Sequence, residues 1–206
     1  LLPPKYRNYS SKYWDKKTMS PSSLLFYLGT NKKLKNIEHH CLFFDKDFDQ
    51  HAKDIYEFPQ WPEEPLFYGS FSSKSDNSVS PKGCENIVLL VPIAPNLKDS
   101  DTIREKYYNI IMDRLEKLTK QSIKKHVIYK KSYCINNFKK DYNSFRGNAY
   151  GLANTLFQTA IFKPSIKNKK LNNLYYCGQL TVPGPGVPPS IISGEVSSKE
   201  IIRDFN

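Results

Sequence analysis

The 206-residue chain reads as an α+β protein, a mixed and largely antiparallel sheet carrying one long packing helix. Three observations point there. Short runs rich in β-branched and aromatic residues alternate with Gly, Pro, Asn and Asp. One longer run repeats its apolar residues at helical spacing. Fourteen prolines and nine glycines break the chain too often for a helical bundle.

The strands are expected at Leu24–Leu28, Ile37–Phe44, Leu66–Phe71, Ile87–Ile93, His126–Tyr133 and Leu174–Cys177. The long helix is expected over Thr102–Gln121. Thr102 and Glu105 form an S/T-x-x-E pattern at its start. Ile103, Tyr107, Ile110, Ile111, Leu115 and Leu118 then recur on one face. Lys120, Lys124 and Lys125 close it, where cations suit the helix dipole. A short helix fits Asp47–Tyr56, and another starts near Asn136. A last helix begins at Pro188–Pro189, since proline suits a first turn, and runs to about Phe205. Ser190, Gly194 and Ser198 lie four apart on it and would let a backbone or a ligand approach closely.

Composition narrows the function. Hydrophobic residues make up 39% of the chain and aromatics 14%, too rich for disorder. No apolar run approaches the ~18 residues that cross a bilayer; the longest is Ile87 to Ala94. The opening LLPPKYRNYS lacks a signal-peptide pattern. It also lacks Met, and the expectation is a piece of a longer protein. The net charge is +11, which favours anionic partners. Only five of the 31 basic residues are arginines, as AT-rich coding also produces. The lysines gather at Lys32–Lys35, Lys117–Lys131 and Lys163–Lys170, read as solvated faces or as a patch facing lipid or nucleic acid. Cys41, Cys84, Cys134 and Cys177 show neither CxxC nor zinc-finger spacing and read as buried free thiols. His39 and His40, adjacent in a strand, are expected on opposite faces and so unable to share a metal. No nucleophile elbow is present.

The most informative stretch is NLYYCGQLTVPGPGVPPSIISGE, Asn173–Glu195. Leu174–Cys177 reads as a buried strand ending at Gly178. A stiff Pro/Gly loop follows and runs directly into a helix N-terminus, which offers unpaired N–H groups and partial positive charge. That arrangement suits a phosphate or a flavin carbonyl. A tight strand-to-helix turn is the alternative.

The pattern G-x-x-T-x-P-G-x-G-x-P at Gly178–Pro188 resembles the C-terminal flavin motif of bacterial-type phytoene desaturases, in the FAD-dependent amine oxidase-like superfamily. Arg146–Ala160, RGNAYGLANTLFQTA, is similar to that family's G-x-x-Y/F-G-L stretch. SPSSLLFYLG, HHCLFF, PLFYGSFSSKSD and PKGCENIVLLVPIA look like its substrate-domain sheet. The resemblance covers nearly the whole chain.

It implies FAD as cofactor, held here by Gly178, Gln179, Thr181, Pro183, Gly184, Gly186, Val187 and Pro188. It implies a long polyene such as phytoene, met by His39, Tyr68, Arg146, Tyr150 and Gln158. Phe26, Tyr27, Phe43, Phe67, Tyr68, Phe71 and Phe157 would line an apolar tunnel or form ordinary core. Residues 1–145 would be a substrate-binding-type domain. Residues 146–206 would complete a Rossmann-like FAD domain whose GxGxxG half lies outside this sequence, so the 206 residues alone are expected to be inactive. The implied setting is cytoplasmic and peripheral to an anionic membrane, with no nucleic acid as partner. A carotene isomerase, a ketolase-like oxygenase, a retinol saturase-like reductase and a non-catalytic remnant remain rivals.

Overall fold

The structure, a computed structural model, describes residues 2–206. Along the chain run α1 (Ser11–Asp15), β1 (Ser22–Thr30), β2 (His40–Phe43), α2 (Phe48–Tyr56), β3 (Phe67–Ser70), β4 (Glu85–Ile93), α3 (Asp101–Thr119), β5 (Val127–Tyr133), α4 (Ile135–Tyr142) and α5 (Val187–Phe205). Two compact units emerge. One is Pro21–Ala149; the other joins the residues up to Ser20 to Tyr150–Asn206. The division expected at 145/146 thus falls at 149/150, and the N-terminal segment joins the C-terminal unit.

The Pro21–Ala149 unit is built on a five-stranded sheet in the order β2-β3-β4-β1-β5. Every pairing in it is antiparallel. β4 alternates strictly, burying Glu85, Ile87, Leu89, Val91 and Ile93. Period-2 alternation puts these five on one face. In register with β4, β1 sets Leu24 opposite Val91, Phe26 opposite Leu89 and Leu28 opposite Ile87. Tyr107, Tyr108, Ile111, Met112 and Leu115 of α3 join the same core. Each such large side chain contributes roughly 1.5–3 kcal/mol on burial. Phe26 meets Tyr108 edge to face at 5.5 Å. The buried Tyr107 hydroxyl donates to Pro62 O at 2.6 Å, and burial pushes its pKa up to about 12.

The ends of α3 have identifiable causes. Its N-cap is Ser100, whose Oγ accepts from Ile103 N at 3.3 Å, two residues ahead of the expected Thr102 box. Both patterns place a hydroxyl before the apolar face; Ser100 has the extended backbone that a cap needs. Lys120, at φ 52°, ends the helix in the left-handed region. Arg104 grips Asp99 through two bonds of 2.7 and 2.6 Å and also donates to Ser132 and Asn137, tying α3 to β5 and α4.

The second unit has little regular structure. A bridge pairs Met19 with Leu152, and another pairs Lys167 with Tyr175. Side chains do most of the joining. Asn8 Nδ2 donates to Lys167 O, Asn168 Nδ2 to Tyr6 O, and Ser165 N to the Tyr9 hydroxyl, all at 2.9 Å. Asp204 of α5 accepts from Lys167 at 2.5 Å and Tyr175 at 2.6 Å. The expected strand Leu174–Cys177 is therefore a single bridge at Tyr175, and Cys177 is exposed. Its apolar residues lack a partner strand within this unit. Of the four cysteines only Cys134 is buried.

Candidate functional site

The Pro/Gly loop is held by a small polar knot. The Thr181 hydroxyl lies 3.0 Å from Gly178 O and 2.7 Å from Ser193 Oγ on α5. Gly178 N donates to the same Ser193 Oγ at 2.9 Å. Thr181 and Ser193 are buried. The first and fourth positions of G-x-x-T thus bolt the loop onto the helix that follows. The buried small residues of α5 are Ser193 and Ser197, one position off the Ser190–Gly194–Ser198 stripe expected from spacing. Gly194 is half-buried and Ser198 exposed.

The loop crosses Val182–Pro183 through a cis peptide. Gly184 and Gly186 follow at φ 137° and 115°, a backbone that other L residues rarely adopt. Gly184 is buried, while Pro183, Gly186, Val187 and Pro188 are exposed. α5 then opens with no side-chain cap. Pro188 and Pro189 lack N–H groups, and Ser190 N donates to Gly186 O at 3.0 Å. Of the first three residues of α5 only Val187 therefore carries an N–H. So sparse a donor set matches a neutral carbonyl edge better than a phosphate.

The second motif lies against this loop. At Gly151, φ 79°, a Cβ would sit 3.1 Å from Leu180 Cδ2 and 3.3 Å from Gln179 O. Asn154 Oδ1 accepts from Lys163 Nζ at 3.2 Å, and the Lys163 Cε lies 3.3 Å from where a Gly184 Cβ would be. Tyr150 is 41% exposed and available to a ligand. Gln158 is buried and engaged: it accepts from Thr18 N at 3.1 Å and donates to Thr18 O at 2.8 Å and Ala153 O at 3.1 Å. A cleft of about 270 Å³ flanks the loop at Leu180 and Thr181, walled by Tyr9, Trp14, Pro164 and Tyr176. Ligand pockets usually run from about 300 Å³ upward, so the cleft falls just short of that size.

The remaining candidates, Phe157 apart, lie in the other unit. His39 and His40 stack at 4.0 Å instead of pointing apart, because β2 begins only at His40. His39 Nδ1 is 2.5 Å from Ser75 Oγ, and His40 Nδ1 is 2.6 Å from the Tyr68 hydroxyl. His39 and Tyr68 are thus each hydrogen-bonded, in two separate pairs. Arg146 adopts φ 56°, accepts from Asn96 N at its carbonyl and stacks over Phe145 at 5.1 Å. Phe26, Phe67 and Phe71 are sealed core, whereas Phe157 is 71% exposed. Sequence reasoning missed Gly151, Asn154, Lys163 and Ser193. The sequence places Lys163 in a lysine cluster that reads as a solvated face or as a patch facing lipid or nucleic acid, yet it is only 7% exposed. The apolar TAIF before it and Pro164 after it were the available signal.

No family profile matches the chain. Individual proteins do. A carotenoid 3,4-desaturase of Haloarcula japonica is 40% identical across 100% of the chain. A 4,4'-diapolycopen-4-al dehydrogenase of Metabacillus indicus is 30% identical across 91% of it. A zeta-carotene-forming phytoene desaturase of Myxococcus xanthus is 27% identical across 98%. The chain spans 41%, 38% and 39% of these relatives. With its Gly178–Pro188 loop bolted to α5 and 91–100% of its length aligned to them, the chain is a homologue of the carotenoid desaturases, corresponding to about two fifths of such a protein.

Proposed function

We propose that this chain is the C-terminal part of an FAD-dependent oxidoreductase that desaturates C–C bonds of a carotenoid. The observation that carries this reading is the loop itself: two positive-φ glycines, locked by Thr181 and Ser193, delivering the Val187 amide. When bound, FAD would supply the oxidant, a two-electron acceptor for the hydrogens removed as a C–C bond of the polyene becomes C=C.

This chain's residues would bind and orient. Val187 N–H would donate to a carbonyl of the flavin ring. Gly184 and Gly186 would let that ring approach the backbone, and Gln179, Pro183 and Pro188 would border it. Gly151 would keep the Tyr150 segment pressed on the loop. Tyr150 would face the polyene, as would Gln158 if its hold on Thr18 were released. No helix of the described residues is long and apolar enough to cross a membrane. Since carotenoids reside in bilayers, the lysine-rich surface would dock on anionic headgroups.

The test uses the complete gene product with phytoene, and separately a more conjugated carotenoid, in liposomes. The expected result is a product with a longer conjugated system, formed faster as anionic lipid is added. Gly184→Ala with Gly186→Ala is expected to lower turnover at least about 100-fold, the scale of losing one well-placed polar contact at a reaction centre. Substrate consumed without new conjugation would redirect the assignment to oxidation of a carotenoid end group, in keeping with the name of the Metabacillus relative. Indifference to lipid charge would remove the membrane reading.

A further inference from the structure

We propose that Lys163 is the counter-charge of this cofactor site, its ammonium facing the anionic edge that a flavin ring acquires when it is reduced. The inference rests on the flavin reading above and names a residue that the loop motif does not contain.

Lysine is among the residues least often fully buried, and a buried one is normally paired. Lys163 breaks that pattern. It is 7% exposed, and among the described residues its ammonium donates only to Asn154 Oδ1, a neutral acceptor at 3.2 Å. An ammonium has three donors, so two are unused. Burial lowers its pKa, and no neighbouring carboxylate acts against that. Other lysines differ. Lys33 and Lys74 pair with Glu85, Lys124 with Asp113, Lys130 with Glu105, and Lys167 with Asp204 and Glu200. Among the described residues Lys163 is thus the one buried lysine, and it has no carboxylate partner.

That position is the proposed site. The Lys163 Cε and Nζ lie 3.3 and 3.4 Å from where a Cβ on Gly184 would stand. The bare glycine and the extended lysine therefore share one space. Asn154, from the motif that lies against the loop, holds the ammonium there. Val187 N–H, three residues along the loop, is one neutral donor and leaves a full negative charge mostly unbalanced. A cation within a few ångströms supplies the balance. Through a medium of effective dielectric ~20, a unit charge pair ~8 Å apart still interacts strongly enough for more than a tenfold effect. The charge would stabilise reduced over oxidised cofactor and so raise its potential.

Sulfite is the probe. Its sulfur lone pair forms a bond to an oxidised flavin ring, and the electron pair settles on that ring as the same negative charge. The complete protein, loaded with FAD, is titrated with sulfite while the visible flavin band bleaches, and its two-electron potential is measured. Lys163→Met is expected to weaken sulfite binding at least about tenfold and to lower the potential by the equivalent, roughly 30 mV. Lys163→Arg is expected to stay within about threefold of the parent, because it keeps the charge. If Lys163→Met does not fold, Lys163→Gln, which can still donate to Asn154, is read in its place with the same expectation. A yellow variant with unchanged sulfite affinity and potential overturns the assignment and leaves the flavin reading intact. A parent protein that neither carries nor takes up FAD overturns both.

Discussion

Replacing Gly147 with valine in the complete protein will lower its stability by about 4 kcal/mol, or prevent soluble folding altogether. Gly147 has φ 66°, where a β-branched residue is strained. Its own Cβ position is occupied: Ile135 Cγ2 lies 2.7 Å away, Ile135 O 2.8 Å and Ile135 Cα 3.2 Å. Two of those atoms are backbone, so a rotamer change cannot relieve the clash. Ile135 is fully buried at the start of α4. Moving it would disturb the core and the bond from Ser22 Oγ to Gly147 O at 2.5 Å. Gly83 separates conformation from crowding. It has φ 82°, yet nothing lies within 4 Å of its Cβ position. Gly83→Ala should therefore cost only about 1 kcal/mol. Urea unfolding compares the two variants. Equal midpoints would mean that Gly147 is not in close contact with α4.

Glu85→Ala is expected to cost about 3 kcal/mol and to change the protein's acid sensitivity. The Glu85 side chain is fully buried at the start of β4. Its carboxylate accepts from the Ser73 hydroxyl and from Leu34 N at 3.0 Å, with Lys33 at 3.6 Å and Lys74 at 3.5 Å. Removal would leave Ser73 and Leu34 N–H without an acceptor and two lysines without their anion. Burial pushes the carboxyl's pKa up, but the Ser73 and Leu34 hydrogen bonds and the two lysines outweigh it and hold it below the ordinary value. The unfolded chain titrates near 4.3. A depressed folded pKa gives stability that is present above that value and lost as pH falls through the folded pKa. The parent should thus lose stability on acidification below about pH 5, and Glu85→Ala should lose less. Parallel pH slopes for parent and variant would show that Glu85 is not the responsible group.

Much of the sheet was legible in the sequence because its strands are buried on one face. β4 alternates over nine residues and β1 runs apolar against it, so period and burial agree. α3 was legible for the same reason, although its cap was not: Ser100 and Thr102 are chemically alike, and only backbone conformation separates them. Leu174–Cys177 misled because β-rich composition does not guarantee a partner strand. Within the site, spacing revealed which residues form the loop but not what holds it. Ser193 and Thr181 meet across 12 positions, and Lys163 reaches Gly184 across 21. Such contacts are made by tertiary packing, which a local pattern does not encode. Lys163 in particular neighbours exposed lysines in sequence and is itself buried.

If the Gly178–Pro188 loop and α5 form one wall of a flavin site, the visible absorption spectrum of the complete, purified gene product reads it, taken before and after adding FAD and repeated for Gly184→Ala with Gly186→Ala. Flavin bands, red-shifted or structured relative to free FAD, are expected in the parent and are expected to be lost in the variant. A parent that stays colourless after FAD is added, or a variant that binds FAD as well as the parent does, would contradict a flavin site there.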